Sequence, residues 1–324
     1  MNRLLALILL SLAASGLLSQ SACSKESTPP TSTAASAPTA PSAESYRQAA
    51  EQGDAEAQCK LGLRYYNGNG VERDVREAAK WFRKSADQGN AVAQYNLGHA
   101  YAHGEGIDQD LREAVQWYGK AADQGLSAAQ SNLGFCYEHG RGVEMDPREA
   151  VKWYRKAADQ DDAIAQFNLG LCYEDGKGVD TNDREATKWY RKAAEGGYVL
   201  AQNNLGVCYF FGKGVQRDLP EAARLFRQAA EQGYAKAQNS LGCCYDQGQG
   251  VKQDQNEAVK WYRKAAEQGF AAAQFNLGAC YDSGEGVGKD QTEAIKWFYK
   301  AADQGNEDAK AALKRLALPR NSGN

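Results

Sequence analysis

Histidine and methionine are scarce in this 324-residue chain, with three of the first and two of the second. His99 and His103 stand four apart and His139 follows one repeat later, but no fourth strong ligand accompanies them, so no metal site is expected. An excess of charge of either sign is lacking too. A net charge of −3 with no basic stripe argues against a nucleic-acid partner. No G-x-x-x-x-G-K-[ST] is present, so Gly176-Lys177-Gly178 and Gly212-Lys213-Gly214 read as turns and not as phosphate cradles. Only Leu4 to Leu18 forms a long apolar run without a charge, about fifteen residues where a spanning helix needs ~20. Four of the seven prolines crowd into residues 24–44, which hold almost no large apolar side chain. Such a stretch cannot bury enough surface to fold.

These features order the N-terminus. Arg3, the apolar run and the small residues Ser19 to Ala22 predict a signal peptide over 1–22 and therefore export. Ser21-Ala22-Cys23-Ser24 resembles the cleavage box of bacterial lipoproteins, which implies lipidation at Cys23 and a periplasmic chain anchored to the outer membrane. Gln20 departs from the leucine usual in that box, and cleavage to a soluble form stays open. Residues 23–45 then read as a flexible spacer, 46–318 as the folded part, and 319–324 as a disordered tail.

From Ala49 the chain repeats every 36 residues without insertion, with units starting at Ala49, Ser85, Ala121, Ala157, Ala193, Ala229 and Ala265, and a partial eighth at Ala301. Each unit carries two helical patterns. In the third, Ala129, Leu133, Cys136 and Tyr137 share one face, Gly140 to Gly142 end that helix, and Asp146 starts another with Glu149 three residues on. The aspartate is expected to cap the new helix and the glutamate to reach back to the cap's own amide. Pro147 fits the first helical position. Ala150, Trp153, Tyr154, Ala157 and Ala158 form the second apolar face. No unit can bury its own tryptophan, so neighbours must stack.

The pattern A-x-A-Q-x-N-L-G-x-x-Y-x-x-G-x-G-V, then D-x-x-E-A-x-x-W-Y-x-K-A-A, resembles the Sel1-like repeat, a relative of the tetratricopeptide repeat. The resemblance implies an all-α fold: a right-handed α-solenoid of seven 36-residue helix-turn-helix repeats plus a C-terminal capping helix. It also implies a non-catalytic adaptor that binds another protein in a concave groove.

Binding residues are expected where the repeat varies along one stripe of the first helices. Tyr95, His99, Phe135, Ile164, Phe167, Leu171, Leu200, Val207 and Phe210 make the middle of that stripe apolar, the kind of surface that marks an interaction site. Packing between neighbouring first helices is the alternative. Within the resemblance the sharper expectation is an immunity protein that neutralises a periplasmic phospholipase effector of type VI secretion.

Catalytic residues are not expected, and neither is a cofactor. Asp74/Glu77, Asp110/Glu113 and their equivalents are helix caps. Cys136, Cys172, Cys208, Cys244 and Cys280 share one cycle position, so they line up about 10 Å apart, beyond the ~7 Å that a disulfide tolerates. A cysteine-rich Sel1-like group suggests the other class, a β-lactam-binding or β-lactamase-like cell-wall enzyme. Its cysteine pairs lie eight residues apart, and no such pair occurs in this chain.

Overall fold

The computed structural model describes residues 43–317. The signal peptide, Cys23 and the 319–324 tail lie outside the described residues. The described helices fall into two compact units that divide between Asp162 and Ala163. The N-terminal unit holds α1 (Ala43–Glu51), α2 (Ala55–Asn67), α3 (Val75–Asp87), α4 (Ala91–His103), α5 (Leu111–Asp123), α6 (Ser127–His139) and α7 (Pro147–Ala158). The C-terminal unit holds α8 (Ala163–Asp175), α9 (Asp183–Glu195), α10 (Val199–Phe211), α11 (Leu219–Glu231) and α12 (Ala235–Gln247). It continues with α13 (Gln255–Glu267), α14 (Ala271–Ser283), α15 (Gln291–Asp303) and α16 (Glu307–Ala317). No strand occurs among the described residues, and within each unit every helix packs on the next, as an all-α solenoid requires. The helix α1 is one more than the sequence pattern shows, and it begins two residues before the expected end of the spacer.

The second helix of each repeat starts at a side-chain cap. Asp146 Oδ1 accepts the amide hydrogens of Arg148 and Glu149, both at 3.0 Å. Its partner glutamate does not complete the expected capping box. The Asp146 amide already donates to Tyr137 O at 2.9 Å, across the turn from the first helix, so Glu149 is released to pair with Lys152 at 2.7 Å. The same exchange recurs at Asp74, whose amide donates to Tyr65 O while Glu77 pairs with Lys80.

The two helices of a repeat approach closely because a glycine faces an aromatic ring. A Cβ on Gly134 would lie 2.7 Å from the Tyr154 ring, and one on Gly206 would lie 2.7 Å from Phe226. Those rings are fully buried. Between repeats the tryptophan does the joining: Trp117 packs into a cluster with Phe82 and Ala86 of the preceding repeat, and Trp261 into one with Phe226 and Ala230.

A ladder of glutamines runs beside these contacts. Gln94 Nε2 donates to Ala86 O at 3.2 Å, and Gln94 Oε1 accepts from Gln124 Nε2 at 2.7 Å. The pair recurs at Gln58 with Gln88, Gln130 with Gln160, Gln202 with Gln232, Gln238 with Gln268, and Gln274 with Gln304. Each buried amide thus has its donor and acceptor needs met inside the stack. The turn after each second helix places glycine in the left-handed region, as at Gly125 with φ +89°; Asp161 alone substitutes among the described turns, at φ +61°.

The last helix closes the C-terminal unit. Lys314 occupies the cycle position that glycine holds in Gly278 and its predecessors, so no further ring can seat there. Ala309 and Ala312 are buried beneath it against Phe298.

Candidate functional site

The stripe lies on the first helices, so each unit carries its own part. In the N-terminal unit Tyr95, His99 and Phe135 are half-buried. Tyr95 rests on the Tyr118 ring at 5.9 Å, and with Tyr66, Phe82, His99 and Glu105 it lines a cleft between the second-repeat and first-repeat helices. Glu105 Oε2 accepts the Tyr66 hydroxyl at 2.8 Å and lies 3.5 Å from His99 Nδ1. Burial holds the His99 imidazole below its ordinary pKa, and the His103 ring stacked at 4.1 Å adds to this; Glu105 opposes both. Phe135 carries the His139 ring at 4.2 Å and Arg141 at 5.8 Å from its centroid.

In the C-terminal unit Ile164, Leu171 and Leu200 are half-buried, but Phe167, Val207 and Phe210 are 8%, 7% and 5% exposed. For these three the expected open apolar surface is corrected to core. Phe167 stacks on Tyr190 at 5.7 Å and meets Tyr198 edge-on at 5.3 Å, because the chain entering the next first helix covers it. Phe210 is pressed between Phe211 and Phe226 at 5.0 and 6.4 Å. The alternative of packing between neighbours therefore applies to the deeper members of the stripe. Leu171 and Leu200 lean on the same cluster as Phe167 and keep part of their surface.

Polar residues share the stripe with these side chains. Glu174 accepts the Tyr190 hydroxyl at 2.5 Å and Lys213 Nζ at 2.7 Å. One repeat pair later, Asp246 faces Glu285, and burial together with that like charge raises its carboxyl above the usual carboxylate range. Asn203 and Asn239 belong to the same stripe but not to the expected binding residues, and both are almost wholly buried. Their polarity among larger apolar equivalents was the available signal.

The cysteines are structural. All seven within the described residues are buried and outside any disulfide, and burial pushes Cys136 and Cys208 up to about 11 and Cys244 and Cys280 up to about 12. Thiols held protonated are poor nucleophiles. Among the described residues no three His, Cys, Asp or Glu side chains converge as metal ligands, and no helix is long and apolar enough to cross a membrane.

Helix pairs stacked in register, held by a fixed framework and varying along one stripe, define a repeat solenoid, a protein-interaction fold. The chain belongs to the Sel1 repeat family: the family's repeat matches residues 46–54, 55–90, 91–126, 127–162, 163–198, 199–234, 235–270 and 271–306. It is similar to the crystal structure of a Sel1 repeat protein from Oxalobacter formigenes, at 39% identity and a TM-score of 0.68 over 85% of this chain and 79% of that one. It is also similar to c5321, a protective antigen of uropathogenic Escherichia coli strains, at 39% identity and a TM-score of 0.52, covering 86% of this chain and 67% of that one. The immunity protein Pa5087 from Pseudomonas aeruginosa is 25% identical with a TM-score of 0.42, over 71% of this chain and 88% of that one, too distant to inform function. No curated protein matches significantly.

Proposed function

We propose that this chain is a non-catalytic docking protein of the bacterial cell envelope, exported, tethered through Cys23, and binding another protein along the stripe of its first helices. The observation that carries the reading is the half-burial of Tyr95, His99 and Phe135 in one unit and of Ile164, Leu171 and Leu200 in the other. Folding does not demand large side chains there, since Ser131, Asn203 and Ala279 occupy equivalent positions in other repeats. Aromatic anchors backed by a rigid framework suit a protein interface. Phe167, Val207 and Phe210 support the stripe from beneath. Crosslinking in intact envelope followed by capture of the full chain should recover a partner that Tyr95→Ala and Phe135→Ala fail to retain. Equal recovery by those variants overturns the stripe as the docking surface.

The tether is tested separately. Cys23→Ala should move the protein from the membrane fraction to the soluble periplasm, and a wild type already soluble refutes lipidation. The sharper reading, an immunity protein against a periplasmic phospholipase effector, rests on the family resemblance and the exported N-terminus. Co-expression with a phospholipase encoded beside the gene should restore growth, and failure to protect removes this reading while leaving the docking function intact.

A further inference from the structure

One residue of the N-terminal unit breaks a contact that its neighbours keep. At one position of the second helices this unit holds Arg83, Gly119 and Arg155, and Arg47 stands there in α1. Arg47 and Arg83 each donate to the hydroxyl of the tyrosine eighteen residues on, Tyr65 at 2.6 Å and Tyr101. The C-terminal unit repeats the contact from Arg191 to Tyr209, Arg227 to Tyr245 and Arg263 to Tyr281, at 3.0, 2.5 and 2.9 Å. Gly119 leaves Tyr137, its partner by the same count, with no hydrogen bond to the hydroxyl among the described residues.

The vacated place keeps what holds an arginine elsewhere. Arg83 lies 5.3 Å from the centroids of both the Tyr101 and the Trp117 ring, in an open surface depression that Asp108, Asp110 and Glu113 also line. Thirty-six residues on, the rings are Tyr137 and Trp153 and the acids are Glu144, Asp146 and Glu149. Tyr137 and Trp153 pack in one cluster, and a Cβ on Gly119 would meet nothing within 4 Å. Gln116, where Lys80 and Lys152 stand in the flanking repeats, removes a second cation from the same helix. Burial, then the negative charges of Glu149 and Asp146, raise the Tyr137 hydroxyl above its ordinary pKa. Glu149 already pairs with Lys152 at 2.7 Å, so the acids left for an incoming cation are Glu144 and Asp146, both exposed.

We propose that this slot seats an arginine side chain of a protein partner, its guanidinium donating to the Tyr137 hydroxyl and resting against the Tyr137 and Trp153 rings. Lys156 lies over Trp153 at 3.6 Å, and a second cation still fits, since Trp117 carries both Lys120 at 3.6 Å and Arg83. A planar guanidinium donates within its plane while its face lies on a ring, which selects arginine over lysine. Met145, 62% exposed beside Asp146, offers an adaptable apolar contact to the residues that flank the arginine.

The slot is built from α5, α6 and the turn into α7, and the proposal does not rest on the first-helix stripe. The full chain, with isotope-labelled tyrosine rings and Tyr137 assigned through Tyr137→Phe, is titrated with a blocked tripeptide of arginine between two alanines. The Tyr137 resonance should shift and saturate, in Tyr95→Ala and Phe135→Ala as in wild type. The corresponding lysine tripeptide should bind about fivefold more weakly, the worth of one hydrogen bond. Gly119→Ala should keep the response. Gly119→Arg, whose own side chain fills the slot, should abolish it and melt no lower than Gly119→Ala. No saturable shift, or equal binding of the lysine tripeptide, overturns the proposal. A lower melting temperature for Gly119→Arg does so too, because a slot that rejects its own arginine cannot seat another. Free arginine binding as tightly as the tripeptide makes this a small-molecule site, and self-association that Gly119→Arg abolishes gives it to a second copy; either result overturns the partner protein.

Discussion

Trp117 donates its indole N–H to Glu113 Oε2 at 3.2 Å, one turn away on α5. The indole nitrogens of Trp81, Trp153 and Trp261 are buried with no partner among the described residues. The difference lies one residue before the tryptophan. Glu77, Glu149 and Glu257 are drawn to Lys80, Lys152 and Lys260 at 2.7–2.8 Å, whereas Gln116 fills that place in α5 and leaves Glu113 to the indole. Gln116→Lys should therefore pull Glu113 away and strand Trp117. An exposed ion pair returns at most ~1 kcal/mol, while a stranded donor costs about 1–3 kcal/mol. A net loss of about 1 kcal/mol in denaturant unfolding is expected, and a gain refutes the account.

Two glycines on neighbouring helices should respond oppositely to the same added methyl. Gly119 lies inside α5 with nothing within 4 Å of a Cβ, so Gly119→Ala should stabilise by about 1 kcal/mol through helix propensity. Gly134→Ala drives a methyl into the Tyr154 ring and into Ala150 O at 3.2 Å, and should cost about 1–3 kcal/mol. Paired thermal melts decide it, and the same sign for both defeats the contact argument.

Alkali should destabilise the protein through its buried thiols. The thiols of Cys59, Cys136, Cys208 and Cys243 are raised to about 11, and those of Cys244 and Cys280 to about 12, by burial of the neutral form. The unfolded chain ionises near the ordinary thiol value of 9.0, so it sheds protons that the folded chain retains. Stability contributed by these groups is full below pH ~9 and is lost as pH rises towards ~12. Melting temperatures should fall through that window, and iodoacetamide at pH 8 should leave the described cysteines unmodified until denaturant is added. Rapid labelling of the native chain contradicts this.

Truncation along the stripe should divide into two behaviours. Phe167→Ala and Phe210→Ala remove buried rings and should cost about 3–5 kcal/mol of folding, comparable with Trp153→Ala. Tyr95→Ala and Phe135→Ala remove half-buried rings and should spare most of the stability while costing about 2 kcal/mol or more of partner binding. Melts and partner titrations on all five variants separate surface from core.

How much of this was legible beforehand depends on whether the cause was local. The period fixed both helices of every repeat, and Asp146 with Pro147 marked a helix start that the structure keeps. The reach of Glu149 was misjudged because the competing acceptor, Tyr137 O, sits across a turn whose geometry no spacing describes. Helix α1 was hidden because residues 43–48 follow directly on the spacer and lack a complete repeat around them. Phe167 and Leu171 looked alike on one stripe; how far the next repeat climbs over each was set by Tyr198, a residue of the following turn. Gln58 and its equivalents were visible as a recurring letter, but a buried amide reveals its two partners only when the preceding helix and the cap of its own repeat's second helix are in place.

The glutamine ladder has a direction. Each rung lends its oxygen to the amide of a glutamine thirty residues further along, never to one behind it. That glutamine caps the second helix of the same repeat, while each rung's own amide reaches back to the preceding repeat, so removing a repeat from the near end strands a buried amide in the repeat left behind, whereas removing one from the far end strands only Ala86 O or its counterpart, which still accepts a backbone N–H. The series of glutamines is broken where the sequence changes: Gly196 stands thirty residues beyond Gln166, and Lys310, exposed and paired with Glu307, takes the place of the next glutamine after Gln274. Unravelling is thus unequal from the two ends, and a chain shortened at its N-terminus carries a frayed edge that one shortened at its C-terminus does not.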